Sequence, residues 1–141
     1  MVDLDSFFGA KKIINAKSAK VQIEILKKNA KIQLKKDYVQ EALELYFSAK
    51  NLAINWELNE EIADIDDLIR LTQITGLKEL KKIYENKAKE AEKVYNYAEA
   101  LECYETAFKA ASEIFKLGSS EMEKDIKKLK KRTEELRRTT M

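Results

Sequence analysis

The sequence predicts an all-α protein: two tandem three-helix units stacked as a short helical array, with an N-terminal capping helix. Three observations carry this. The 141 residues include no proline and only three glycines, so long helices can run without a built-in breaker. Apolar residues recur at three- and four-residue spacing through most of the chain, the period of a helix with one buried face. One such face is also written twice. Glu41, Ala42, Leu43, Glu44, Tyr46, Ala49 and Ala53 return as Glu99, Ala100, Leu101, Glu102, Tyr104, Ala107 and Ala111, at an offset of 99 − 41 = 58. Repetition at such a period marks a duplicated supersecondary unit. Further on, the third helices align at 126 − 65 = 61, so the second copy carries about three extra loop residues.

The elements run in order. Residues 1–17 read as a short capping helix bearing Leu4, Phe7, Phe8, Ile13 and Ile14. The same segment could instead lie on a membrane surface, with Leu4, Phe7, Phe8 and Ile14 facing down and Lys11 at the headgroups. Unit 1 spans residues 18–75. Its first helix, about 19–36, has Ile23, Leu26, Ala30 and Leu34 on one face and Ile25 with Ile32 on another. Asp37, with Gln40 three residues on, starts the second helix. Asn59 starts the third, and Gly76 ends it. This third helix has a seam of Leu58, Ile62, Ile65, Ile69 and Thr72, and a second stripe of Leu68, Leu71, Ile74 and Leu77. Two apolar faces predict cover on both.

Unit 2 spans residues 76–141. Its first helix, Leu77 to Val94, carries Leu80, Ile83, Tyr84, Ala88, Ala91 and Val94 as its stripe. Asn96 caps the next helix, with Glu99 completing a capping-box pair. That helix buries Tyr97, Ala100, Leu101, Tyr104, Ala107, Phe108, Ala111 and Phe115, and Gly118 stops it. Ser120, with Glu123, opens the last helix. There Met122, Ile126, Leu129, Thr133 and Leu136 form one narrow seam amid charge, so this helix packs on one side and closes the structure.

Composition narrows the chemistry. There is no histidine and one cysteine, Cys103. The commonest general base and metal ligand is therefore missing, and a zinc site lacks its usual ligands. The repeated face offers no converging polar groups beyond tyrosine hydroxyls. The expectation is a protein that is not an enzyme and holds no cofactor or metal, with Cys103 as a packed thiol. No run approaches the roughly 18 apolar residues of a membrane span, and the start lacks the plan of a signal peptide. A reducing cytoplasm, with or without a peripheral membrane association, is the expected location.

Charge is unevenly placed. Residues 57–67 hold six acids and no base; early in a helix, such acids favour its dipole. Residues 1–36 hold nine lysines against three acids, and residues 119–141 eight bases against five acids. In the latter stretch Lys124, Lys127, Lys128, Lys131 and Arg132 make a basic surface. Few arginines and no interleaved aromatics weigh against nucleic acid as partner. An acidic peptide or an anionic membrane surface remains open.

"NYAEALECYETAFKAA" resembles the second helix of the tetratricopeptide (TPR) repeat, and Tyr84, Ala88 and Ala91 fall where its first helix keeps aromatic and small residues. That repeat recurs at about 34 residues; here an extra helix enlarges each unit. A three-helix TPR-like unit also resembles the MIT (microtubule-interacting and trafficking) domain, to whose second and third helices "NYAEALECYETAFKAA" and "DIKKLKKRTEELRR" are similar. The resemblance implies a module that binds a short peptide in a groove beside the third helix, typically a tail of an ESCRT filament subunit. In unit 2 that groove would lie near Phe108, Ile126, Leu129 and Thr133. The expected function is a non-enzymatic protein–protein interaction module or adaptor. Two alternatives stand beside it: a peripheral membrane or trafficking adaptor using the N-terminal segment, and a structural homo-oligomer.

Overall fold

The structure is a computed structural model that describes the backbone of residues 4–140 and the side chains of residues 15–140. Among the described residues every regular element is helical. They are α1 (Leu4–Lys35), α2 (Val39–Asn55), α3 (Asn59–Lys93), α4 (Tyr97–Lys116) and α5 (Glu123–Thr140), with a 3-10 turn at Ser120–Met122 before α5. The chain divides into two compact units, Met1–Gln73 and Ile74–Met141.

The duplicated face is core in both units. Ala42, Ala49 and Ala53 are fully buried in the first, and Ala100, Ala107 and Ala111 in the second. Tyr46 and Tyr104 are buried among them. Alanine lets backbones approach closely, and the tyrosine ring fills the space beside it. In the first unit Ile23, Ala30, Ile65 and Ile69 join this core, with Leu26, Leu34, Leu58 and Ile62 packed against it. In the second, Ala88, Ala91, Ile114, Met122, Leu129 and Leu136 do so. Cys103 is buried, and burial pushes its thiol above the ordinary range, as a packed thiol requires.

The helix boundaries depart from expectation in three places. First, α1 is continuous from Leu4 to Lys35, so no break at residue 17 sets off a separate capping helix. The side chains assigned to membrane contact, Leu4, Phe7, Phe8, Lys11 and Ile14, lie outside the described residues. Second, Gly76 does not end a helix, because α3 runs through it from Asn59 to Lys93. Gly118 is the one glycine with positive φ among the described residues, at 100°. A glycine inside a helix costs only about 1 kcal/mol relative to alanine, and Ile74 and Leu77 on either side are held in the second core. Third, Asp37 is not a cap. It takes φ 64° in the turn, and the capping position falls to Tyr38, which makes no side-chain cap bond.

The turns themselves repeat. Asp37 and Tyr95, 58 apart (95 − 37), both take positive φ; so do Glu57 and Gly118, 61 apart (118 − 57). Asn96 caps α4 as expected, its Oδ1 accepting from the Glu99 amide at 3.3 Å and its Nδ2 donating to the Glu99 carboxylate at 2.8 Å. Ser120 belongs to the 3-10 turn and not to a cap.

Several stripe residues are exposed where cover was expected: Leu80 and Ile83 on α3, Val94 just past its end, and Phe115 on α4. The buried line of α3 in the second unit is instead Leu77, Tyr84, Ala88 and Ala91, with the stem of Lys81 beside it. Leu80 and Ile83 sit to one side of that line. The second stripe of α3 divides by unit. Leu68 packs in the first core and Ile74 and Leu77 in the second, while Leu71 is 53% exposed.

Candidate functional site

Within the second unit a cleft of about 290 Å³ is lined by Glu85 and Lys89 of α3, Tyr104 of α4, and Asp125, Lys128, Leu129 and Arg132 of α5. Tyr104 and Leu129, both nearly buried, supply its apolar wall. Charged groups at helical spacing on α3 and α5 supply the rest.

Two ion-pair groups tie α3 to α5 around this cleft. Lys81 Nζ lies 2.8 Å from Glu85 Oε1 and 3.0 Å from Asp125 Oδ2. Burial works against the charge on Lys81, but hydrogen bonds to these two carboxylates outweigh it and hold the pKa above its ordinary value. The first unit makes a similar tie, from Lys27 of α1 to Asp64 of α3; Asp64 and Asp125 are equivalent at 125 − 64 = 61, whereas Lys27 aligns with Glu85 at 85 − 27 = 58. In the second group Arg132 donates from Nε and Nη2 to Glu92 Oε1 at 2.9 and 2.6 Å. Its Nη1 reaches Glu135 Oε2 at 3.1 Å. The bond to Glu92 raises the Arg132 pKa further. Burial, then the Glu92 charge, pushes the Tyr104 phenol above 10 despite the neighbouring guanidinium.

These shifts all move the titration of Lys81, Arg132 and Tyr104 further above neutral pH. At neutral pH Lys81 and Arg132 therefore stay charged and the Tyr104 phenol un-ionised, which gives the cleft a surface suited to holding a polar ligand. Lys89 and Lys128 are exposed at its rim and make no ion pair among the described residues. They remain open to an acidic group.

The expected groove residues are placed unevenly. Leu129 and Thr133 are each 5% exposed, and the Thr133 hydroxyl donates to the Lys130 carbonyl at 2.8 Å. Phe108 and Ile126 are partly buried against the same core. Of the four, only Leu129 lines the cleft. Among the basic residues, Lys124, Lys127, Lys128 and Lys131 are exposed, while Arg132 is half-buried. Lys128 and Arg132 reach the cleft, together with Glu85, Lys89, Tyr104 and Asp125, which sequence reasoning did not assign to a site.

A signal for this region does exist in the repeat. The counterparts of Glu92 and Arg132 are Leu34 and Leu71, at 92 − 34 = 58 and 132 − 71 = 61. Two positions that are apolar in the first unit carry an opposite-charge pair in the second.

Among the described residues no group of three or more His, Cys, Asp or Glu is placed to hold a metal ion, and no helix is long and apolar enough to cross a membrane. No family model, no curated protein and no solved structure matches the chain.

Proposed function

We propose that this chain is a non-enzymatic interaction module, of TPR-like or MIT-like kind, that binds a short peptide segment in the cleft of its second unit. The supporting observation is the cleft itself. It pairs an apolar wall at Tyr104 and Leu129 with fixed charges on two flanking helices. A peptide side chain can bury against the wall, and its polar groups meet the rim. An adaptor role follows from such a site, since the remaining surface stays free for other contacts.

The test is selection from a displayed library of random peptides, using the full chain as bait and Lys89→Glu/Lys128→Glu as counter-bait. Both lysines are exposed, so the variant should keep its helical content and melting temperature. Peptides enriched on the native chain should bind the variant at least tenfold more weakly, the scale of one or two charge-assisted contacts. Enriched peptides that bind both proteins equally would sink the cleft as the binding site.

A further inference from the structure

A second surface, on the opposite kind of terrain, lies in the first unit. The inner face of α1 is core: Ala19, Ile23 and Ala30 are buried, with Leu26 and Leu34 packed alongside. At 3.6 residues per turn, Val21, Ile25 and Ile32 fall on the opposite side of the helix. They are 60%, 52% and 48% exposed. Residues 15–36 also contain seven lysines and a single acid, Glu24. Lys27 is occupied by Asp64 and Glu24. The other six lysines, at 17, 20, 28, 31, 35 and 36, are exposed and make no ion pair among the described residues.

We propose that this outer face of α1 docks on an anionic lipid surface. Three features of the face select that occupant. A docked helix needs a groove, whereas the back of one helix is a convex ridge that meets a flat surface along its length. A second copy of the face would set lysine against lysine, which disfavours self-pairing. Nucleic acid is read through arginine and aromatic side chains, and residues 15–36 contain neither. What the face does offer is a short aliphatic stripe beside lysines. The stripe can enter the interface while flexible lysine stems carry their charges up to the headgroups.

The proposal is independent of the peptide cleft, which lies on other residues. It also differs from membrane contact through residues 4–14, because the groups that carry it start at Lys17. The test is co-sedimentation of the full chain with phosphatidylcholine vesicles, with and without phosphatidylserine. Pelleting should require phosphatidylserine and should weaken as salt rises. Lys28→Gln/Lys31→Gln/Lys35→Gln should weaken binding on the order of a hundredfold, at about fivefold per lysine near an anionic surface. Ile25→Ser/Ile32→Ser should also reduce pelleting, with the charge unchanged. All five positions are exposed, so both variants should match the native circular dichroism and melting curve. Absence of pelleting with phosphatidylserine vesicles overturns the proposal and leaves the face to an acidic protein. Undiminished pelleting of both variants overturns it too, and moves the lipid contact outside residues 15–36.

Discussion

The Glu92–Arg132 pair can be tested against its own counterpart, the Leu34 and Leu71 of the first unit. Glu92 is 21% exposed and Arg132 40%, and the pair sits beside buried Tyr104. Removing one partner of a fully buried pair costs about 3–5 kcal/mol, whereas an exposed pair is worth about 0–1 kcal/mol. The partial exposure places Arg132→Leu between these, at about 2 kcal/mol, because Glu92 is left partly desolvated without its cation. Glu92→Leu should cost less, about 1 kcal/mol, since Arg132 keeps Glu135. The double variant Glu92→Leu/Arg132→Leu removes both charges and places at both positions the leucines that the first unit carries there. It should lie within about 1 kcal/mol of the native protein. The single costs then sum to about 3 kcal/mol, and the coupling between the sites is about 2–4 kcal/mol.

Urea unfolding followed by far-UV circular dichroism measures all four proteins, with the slope checked for constancy so that midpoints compare directly. Costs that add to within about 0.5 kcal/mol would show that the two residues do not stabilise each other. Arg132→Leu within about 0.5 kcal/mol of native would show that water screens the pair as it does a surface one.

The fold makes three further outcomes testable. Gly76 and Gly118 should respond to alanine with opposite signs. Gly76→Ala should stabilise by about 0.5–1 kcal/mol, being inside α3, and Gly118→Ala should destabilise by about 1–2 kcal/mol, because φ is 100° there; thermal melts of the two variants check this. Ala107→Leu should cost about 1–3 kcal/mol or more, since the site is fully buried and has no room, and a melting temperature equal to native would contradict close packing on the duplicated face. Stability should hold from neutral pH up to about 10 and then fall. Burial raises the phenol pKa of Tyr46 and of Tyr104 above 10. The unfolded chain therefore ionises first as pH rises, and the stability each contributes is lost as pH passes through its folded value. Melting temperature against pH, read beside tyrosinate absorbance, tests the sign.

The parts of this fold that were legible in the sequence are those decided by local spacing. Ala42, Ala49, Ala100 and Ala107 announce a tight helical face because small residues recur at the helical period, and all four are fully buried. Asn96 and Gly118 act where their chemistry says they should, since a cap bond and a left-handed turn each involve only neighbouring residues. Gly76 misled for a physical reason. A glycine ends a helix only if the chain turns there, and here Ile74 and Leu77 are held in the second core with the backbone still helical. The cleft was hidden for a different one. Its walls come from residues as far apart as Glu85 and Arg132, and no periodicity along one helix reports on a charge that completes another. Divergence between the two copies does report on it, because the copies share a packing plan and differ where that plan is not the constraint. Leu34 and Leu71 standing where the second unit has Glu92 and Arg132 is such a difference, beside the cleft. The lysine-rich outer face of α1 is another, since the corresponding stretch in the second unit, residues 73–94, carries four acids among its six lysines. The two proposed surfaces therefore fall on places where the two copies differ, one in each unit, and each can be removed by exposed substitutions that leave the shared core intact.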